Sequence, residues 1–377
     1  MGEIATTYSG GTPKAGNKKY YNGLIPFIRS GEIHSNKTEL FISEAGLKNS
    51  SAKMVTKGDL LYALYGATSG EVDISKINGA INQAVLAIIP KQYNPYIISL
   101  LLSKKKDAIL SKYLQGGQGN LSAEIVKSIK LILPSKNEES SLYPLFKVLD
   151  NLLSLQHRKM ELENLTSKAI YNYLFDKNKP FYFKDNKTKK VFLKELGTTY
   201  SGLSGKNKTD FGHGKAKYIT YLNVNKNTIA NHNLLDLIEI DKKQNEVLNG
   251  DILFTISSET PEEVGLASLW PYDDTNIYLN SFCFGFRPNS KINNLWLAYE
   301  LRSLKIRKNM YKLAQGISRY NLSKKSVLNL QVDVPSDAEQ NFDSKFVKLI
   351  NIQTKFLSNE RNELLLLKKF LLQNLFI

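Results

Sequence analysis

Three clusters in this 377-residue chain carry side chains that could do chemistry. Asn94-Pro95-Tyr96 offers an amide, a proline and a ring with which an enzyme could hold a target amine for methyl transfer. A second proline is missing, no glycine-rich cofactor loop follows a strand upstream, and the related Asn294-Leu295-Trp296 keeps neither proline nor tyrosine. A helix start explains it better, because Asn caps and Pro suits the first helical position. Pro335-Ser336-Asp337 with Asp343-Ser344-Lys345 sets carboxylates near a lysine, as a nuclease would need. The related Pro134-Ser135-Lys136 has no matching acidic pair, so this segment reads as a capped helix start with surface charge. Gly202-Leu203-Ser204-Gly205-Lys206-Asn207 lacks the spacing and the Ser/Thr of a phosphate-binding loop. Gly116-Gly117-Gln118-Gly119 is glycine-rich, yet only Gly316 answers to it later in the chain. One cysteine, Cys283, and four scattered histidines, His34, His157, His213 and His232, make neither a nucleophile–base arrangement nor a structural zinc site. No catalytic centre or metal site is visible in the sequence.

Charge points to binding instead. The chain carries 51 Lys+Arg against 35 Asp+Glu, a net charge of +16. Residues 1–137 hold +8, 138–178 hold −1, 179–336 hold +8 and 337–377 hold +1. A solvated surface can be basic without a ligand, but two equally basic blocks separated by neutral segments favour an anionic partner, above all nucleic acid. No run of 18 apolar residues could span a membrane, and the first residues lack the basic and apolar parts of a secretory signal. A single cysteine fits a reducing cytoplasm, the expected compartment.

The elements that would position a binding surface come in two copies. Thr6-Thr7-Tyr8-Ser9-Gly10 recurs as Thr198-Thr199-Tyr200-Ser201-Gly202, and Gly58-Asp59-Leu60-Leu61-Tyr62 as Gly250-Asp251-Ile252-Leu253-Phe254. Asn82 and Pro90 match Asn280 and Pro288, then Asn120-Leu121-Ser122 matches Asn321-Leu322-Ser323. Tyr173-Leu174-Phe175 and Asn374-Leu375-Phe376 close the repeat. Offsets drift in order from 192 to 201, as loop insertions would make them. The chain is a tandem duplication.

Each copy opens on a loop rich in Gly, Pro, Asn and Lys, Gly10–Pro13 or Gly202–Gly214. Strand-like runs follow: Leu24–Ile28 and Tyr218–Leu222, Leu60–Leu64 and Ile252–Ile256, Ala84–Ile89 and Ser281–Phe286. Tyr62, Tyr65 and Phe254 on these runs are expected in the core. The neutral segments read as long amphipathic helices. One carries Leu145, Leu149, Leu152, Leu155, Leu162 and Leu165, the other Phe346, Ile350, Leu357, Leu364, Leu367 and Leu371. These stripes are expected to pack together, antiparallel, as the core of a helix pair. Lys177 through Lys190 reads as a polar linker, and copy two has Lys190–Leu196 ahead of its repeat where copy one begins almost on the motif. A short leader missing from copy one would account for that.

Gly10-Gly11-Thr12-Pro13, Tyr20 to Gly23 and Ile25-Pro26-Phe27-Ile28-Arg29-Ser30-Gly31-Glu32-Ile33 resemble the opening of a target-recognition domain. Gly58-Asp59-Leu60-Leu61 and Gln118-Gly119-Asn120-Leu121-Ser122 to Pro134 are similar to its later elements. The family is the specificity subunit of type I restriction–modification enzymes, and the resemblance spans the chain. Copy two departs from it at Gly202-Leu203-Ser204-Gly205, where the glycine-threonine-proline turn is absent.

The resemblance implies an α/β (α+β) chain of two target-recognition domains, 1–137 and 179–336. Spacer helices 138–178 and 337–377 would pair as an antiparallel coiled coil with pseudo-two-fold symmetry. It implies a subunit without catalysis or cofactor of its own, bound to double-stranded DNA at a split, asymmetric site. Two methyltransferase subunits would use S-adenosylmethionine to methylate adenine, and restriction subunits would add ATP- and magnesium-dependent translocation and cleavage. Roughly 30 helical residues at about 1.5 Å each span about 45 Å, enough to set half-sites about one DNA turn apart. The rival reading is a coiled-coil scaffold for acidic proteins, which leaves the duplicated basic blocks unexplained.

Phosphate contacts are expected from Lys14, Lys18 and Lys19, and from Lys206, Lys208, Lys215 and Lys217. Base readout needs fixed donors and acceptors, chiefly Arg for guanine and Asn or Gln for adenine. The candidates are Arg29, Ser30, Gln115, Gln118 and Asn120, then Asn223, Gln315, Ser318, Arg319 and Tyr320. Arg29 reads equally as a surface ion pair, and Asn120 with Asn321 reads also as a turn before a helix. The remaining outward apolar positions of the helices could dock the methyltransferase subunits.

Overall fold

The computed structural model describes residues 1–113, 120–175, 188–289 and 291–376. It divides into two units, Met1–His157 with Asn359–Ile377, and Arg158–Ser358. The first runs through β1 (Ala5–Ser9), β2 (Tyr21–Ile28), β3 (Phe41–Ile42), α1 (Glu44–Lys48) and β4 (Lys53–Val55). It continues through β5 (Leu60–Ala63), β6 (Val72–Ile74), β7 (Gly79–Ile81), β8 (Val85–Pro90), α2 (Pro95–Tyr113) and α3 (Ala123–Ser128) into α4 (Lys136–Phe175). Its strands form two sheets, β1–β8–β5–β6 and β3–β2–β7–β4.

The second unit begins with the far part of α4, then β9 (Lys189–Phe192), α5 (Leu193–Leu196), β10 (Gly197–Ser201), β11 (Phe211–Ile219), α6 (Tyr221–Lys226) and β12 (Leu235–Ile238). Next come β13 (Ile252–Thr255), β14 (Ser257–Ser258), β15 (Ala267–Leu269), β16 (Ile277–Leu279) and β17 (Cys283–Pro288). After α7 (Asn294–Leu301) and α8 (Leu304–Leu313) follow β18 (Tyr320–Asn321), α9 (Lys324–Leu328), β19 (Gln331–Val334) and α10 (Asp337–Leu375). The main sheet is β10–β17–β13–β15, with β12–β11–β16 as the second.

The duplication holds at the level of strand register. Thr6 faces Ile89, and at the repeat offsets Thr198 faces Arg287. Leu60 faces Ile88, and Ile252 faces Phe286. Central strands are apolar without alternation because both faces are covered. Leu60, Tyr62, Leu86 and Ile88 pack toward the helices, sharing a core with Ile97 and Leu101. Leu61, Ala63, Val85 and Ala87 pack with Ile28 and Ile81 of the second sheet. Ile252, Phe254, Phe284 and Phe286 likewise meet Trp296 and Leu297, while Leu253 and Cys283 meet Ile219 and Leu279. Each buried valine, leucine, isoleucine or phenylalanine among them contributes about 1.5–3 kcal/mol.

Helices α4 and α10 run antiparallel within the first unit. Phe146 stacks on Phe376, Asp150 takes Lys368 at 2.5 Å, and Gln156 donates to Glu360 at 2.8 Å. In the second unit Leu174, Phe175 and Val347 share one core. The helices have 40 and 39 residues, close to the expected spacer segments, and at about 1.5 Å per residue each is about 60 Å long, more than the roughly 30-residue span expected from the sequence.

Several expectations need correction. Most of the α4 stripe is not core: Leu149 is buried, but Leu145, Leu152, Leu155, Leu162 and Leu165 are exposed. Of the α10 stripe Leu357 is buried, whereas Phe346 and Leu367 are exposed. Tyr65 is partly exposed, unlike Tyr62 and Phe254. Tyr221 and Leu222 belong to a helix, because the Thr220 hydroxyl accepts from Asn223 N and ends the strand at Ile219. Lys189 and Lys190 are strand, paired with Val334 and Asp333; the linker positions 176–187 lie outside the described residues. Asp343 and Ser344 are buried, where surface charge was expected.

Candidate nucleic-acid interface

The catalytic alternatives resolve into caps. Asn94 Oδ1 accepts from Tyr96 N at 2.9 Å, with Pro95 the first residue of α2. In the second copy α7 opens at Asn294, and the preceding Asn293 caps it by accepting from Trp296 N. Ser336 accepts from Glu339 N at the start of α10. Cys283 is buried, which pushes its thiol well above the ordinary range. Among the described residues no cluster of His, Cys, Asp or Glu could hold a metal, and no helix is long and apolar enough to cross a membrane.

Both opening loops are built alike despite their different sequences. A Cβ on Gly10 would lie 1.8 Å from the Ile81 carbonyl oxygen, and one on Gly202 would lie 2.2 Å from that of Asn280. Each loop ends in a short 3₁₀ turn capped by asparagine. Asn17 Oδ1 accepts from Lys19 N, and Asn207 Oδ1 accepts from Thr209 N. These turns carry Lys18, Lys19 and Lys208 just ahead of β2 and β11. Side chains alternate along β11, so Lys215 and Lys217 are exposed on one face while Ala216 is buried. Lys14 is exposed as well. Lys206 is not free, because Asp241 holds its ammonium at 2.8 Å. That contact raises the lysine and, with the Lys243 N–H and the Gln244 amide, holds Asp241 well below the usual carboxylate range.

Base-readout candidates separate sharply. Asn223 is fully buried and is a correction. Its amide donates to Asn231 O and Leu234 O, and its oxygen accepts from Asn231 N, so it braces the chain after α6. Arg29 has its fork taken: Glu32 accepts from Nε at 3.0 Å and Glu39 from Nη2 at 2.6 Å. Those hydrogen bonds push Arg29 up, which fits its ion-pair reading. Ser30 sits in the partly buried turn beside it. Gln115 and Gln118 lie outside the described residues. Asn120 is exposed before Leu121, whose N–H meets Leu64 O, and Ser122 caps α3. Asn321 stands likewise before Leu322, whose N–H meets Ile256 O, and Ser323 caps α9.

Gln315, Ser318, Arg319 and Tyr320 do come together. Gln315 and Asn321 exchange backbone hydrogen bonds at 3.0 and 2.8 Å and close a hairpin, which pairs through Tyr320 and Asn321 with β14. Arg319 lies with its guanidinium 5.4 Å from the centre of the Phe282 ring. The two line a cleft of about 330 Å³ with Tyr221, Ser257, Ser258, Glu259 and Glu263. Two arginines, Arg307 buried and Arg302 partly buried, brace the surrounding chain. Arg302 donates to carbonyls of Val224, Asn225, Asn227 and Ala267, and Arg307 to those of Glu262 and Val264. Burial brings Arg302 down to about 10. Phe282, Ile317 and Glu259 escaped the sequence reading. An isoleucine between Gly316 and Ser318, in an otherwise polar turn, was the one available signal.

Comparison with known proteins places this geometry. The family model for the type I restriction modification DNA specificity domain matches residues 1–164 and 185–366. The specificity subunit of the type I restriction enzyme MjaVIII from Methanocaldococcus jannaschii is 22% identical over 389 aligned positions, covering 98% of this chain and 89% of that one. The type I restriction–modification S subunit from M. genitalium has a TM-score of 0.61 at 16% identity, covering 100% of this chain and 94% of its own. A chain from a structure describing assembly and conformational transition of a type I system gives 0.62 at 13%, covering 100% and 96%.

Proposed function

Since the chain belongs to the type I restriction–modification DNA specificity family, we propose that its two units each read one half of a split, asymmetric DNA site. It is a specificity subunit, the non-catalytic component of such a system, and the scaffold reading is set aside. The observation that carries the half-site reading is the repeated sheet, the same order and register twice, bearing loops of different sequence. Equal frameworks with unequal loops suit two half-sites that differ. Phosphates would be held by Lys14, Lys18, Lys19, Lys208, Lys215 and Lys217, with bases read from the loops that carry Asn120, Gln315, Ser318, Arg319 and Tyr320.

Two methyltransferase subunits would dock on the exposed apolar residues of the long helices. These are Val148, Leu152 and Phe370 in the first unit, and Leu165, Leu349 and Phe356 in the second. S-adenosylmethionine would be bound by those partners, and ATP and magnesium by restriction subunits where present, with the assembly working in the cytoplasm. Mixing purified chain with its methyltransferase, labelled S-adenosylmethionine and DNA tests this. Methyl transfer to adenine in one split motif, only with the chain present, is expected. Equal transfer without the chain would refute the proposal.

A further inference from the structure

We infer that the tip of the Gln315–Asn321 hairpin reads one guanine of the second half-site, and that Phe282 is the positioning residue for Arg319. This rests on the DNA-specificity reading above.

The hairpin is built to fix a tip. Gly316 has φ +142°, and a Cβ there would lie 1.9 Å from the Arg319 carbonyl oxygen, so the turn closes only on glycine. Beyond it Ile317 is 98% exposed. The platform under the tip is equally fixed. Asn280 Oδ1 accepts from Phe282 N at 2.9 Å, and the Phe282 carbonyl accepts from Ile256 N at 2.9 Å. The ring is half-exposed and presents a face to the guanidinium of Arg319. Packing a planar cation on a ring restrains its orientation and leaves its N–H edge free.

The surroundings decide between phosphate and base. Among the described residues Arg319 has no ion-pair partner, unlike Arg29 with two. Yet Glu259 and Glu263 line the same cleft. A phosphate brought to Arg319 would approach both carboxylates, and the repulsion offsets the attraction. A base edge carries no net charge and meets a much smaller penalty. Guanine O6 and N7 match the guanidinium fork, and the exposed Glu259 can accept from the amine of the paired cytosine. Ile317, two residues before Arg319 in the same turn and almost fully exposed, would supply apolar contact for a neighbouring thymine methyl.

The test uses the assembled complex of chain and methyltransferase on a library of sites varied at each position. Arg319→Ala should lose about tenfold or more of the guanine preference at one position of one half-site. Phe282→Leu should lose about two- to fivefold at that same position, while Phe282→Tyr, which keeps the ring face, should retain it. Loss with Leu and rescue by Tyr separates orientation of Arg319 from general packing. An unchanged profile for Phe282→Leu, or losses spread over all positions, overturns the inference. A wild-type complex with no split motif would overturn the specificity reading beneath it.

Discussion

Replacing Asp251 by Asn should destabilise the second unit far more than the matching Asp59→Asn destabilises the first. Both aspartates follow the glycine of a Gly-Asp turn and accept a backbone N–H three residues back, Leu248 N at 2.9 Å and Thr56 N at 2.7 Å. There the likeness ends. Asp251, 1% exposed, also accepts from Arg287 Nε at 2.9 Å and Nη2 at 2.7 Å, and from Tyr200 Oη at 2.7 Å. Asn keeps one acceptor oxygen and turns an NH₂ toward donors. Breaking a buried pair costs about 3–5 kcal/mol, and the 40% exposure of Arg287 lets it rehydrate, so about 3 kcal/mol is expected. Among the described residues the Asp59 side chain accepts only from the Thr56 N–H and hydroxyl, and its change should cost about 1 kcal/mol. Both tryptophans, Trp270 and Trp296, lie in the second unit, so their fluorescence in a urea titration reports on the surroundings of that unit. With a slope of about 3 kcal/mol/M, Asp251→Asn should move the midpoint down by about 1 M. Asp59→Asn should move the fluorescence midpoint by no more than about 0.3 M. A shift under about 0.3 M for Asp251→Asn would refute the buried-pair argument.

Salt dependence should sort the lysines. The double change Lys18→Ala and Lys19→Ala should reduce the slope of log affinity against log salt by about 1.8 on duplex DNA. Lys206→Ala should leave that slope nearly unchanged, because Asp241 already holds its ammonium; a fall as large as for Lys208→Ala would contradict this. Arg29→Ala should leave the methylated motif unaltered at every position and cost under about 1 kcal/mol in urea unfolding, its partners being partly solvated. A relaxed position in the first half-site would show that Arg29 leaves Glu32 and Glu39 to read a base.

Much of this fold was legible in the sequence because a duplication repeats both turns and apolar runs. Gly-Asp before Leu60 and Ile252, and Asn-Leu-Ser before α3 and α9, carry local hydrogen bonds that short sequence can display. What stayed hidden depends on partners far along the chain. Lys206 looked free because Asp241 lies 35 residues on, and Lys190 looked like linker because its strand partner, Asp333, is 143 residues away. Asn223 has its acceptors only 8 and 11 residues on, but a polar side chain bracing a turn and one reading a base share one residue type. Arg29 carried a warning, with Glu32 three residues later. Helical spacing located the leucines of α4 and α10 without revealing that most face solvent, since periodicity marks an apolar face and not what covers it.

The most direct test of the central claim is a map of adenine methylation across the host genome, with and without this gene. The account predicts loss of methylation at one split motif with two unlike half-sites, and its return on complementation. It predicts further that Arg319→Ala broadens one position of a single half-site. An unchanged methylation map on deletion, in a host where the chain and its methyltransferase are both expressed, would contradict the specificity role.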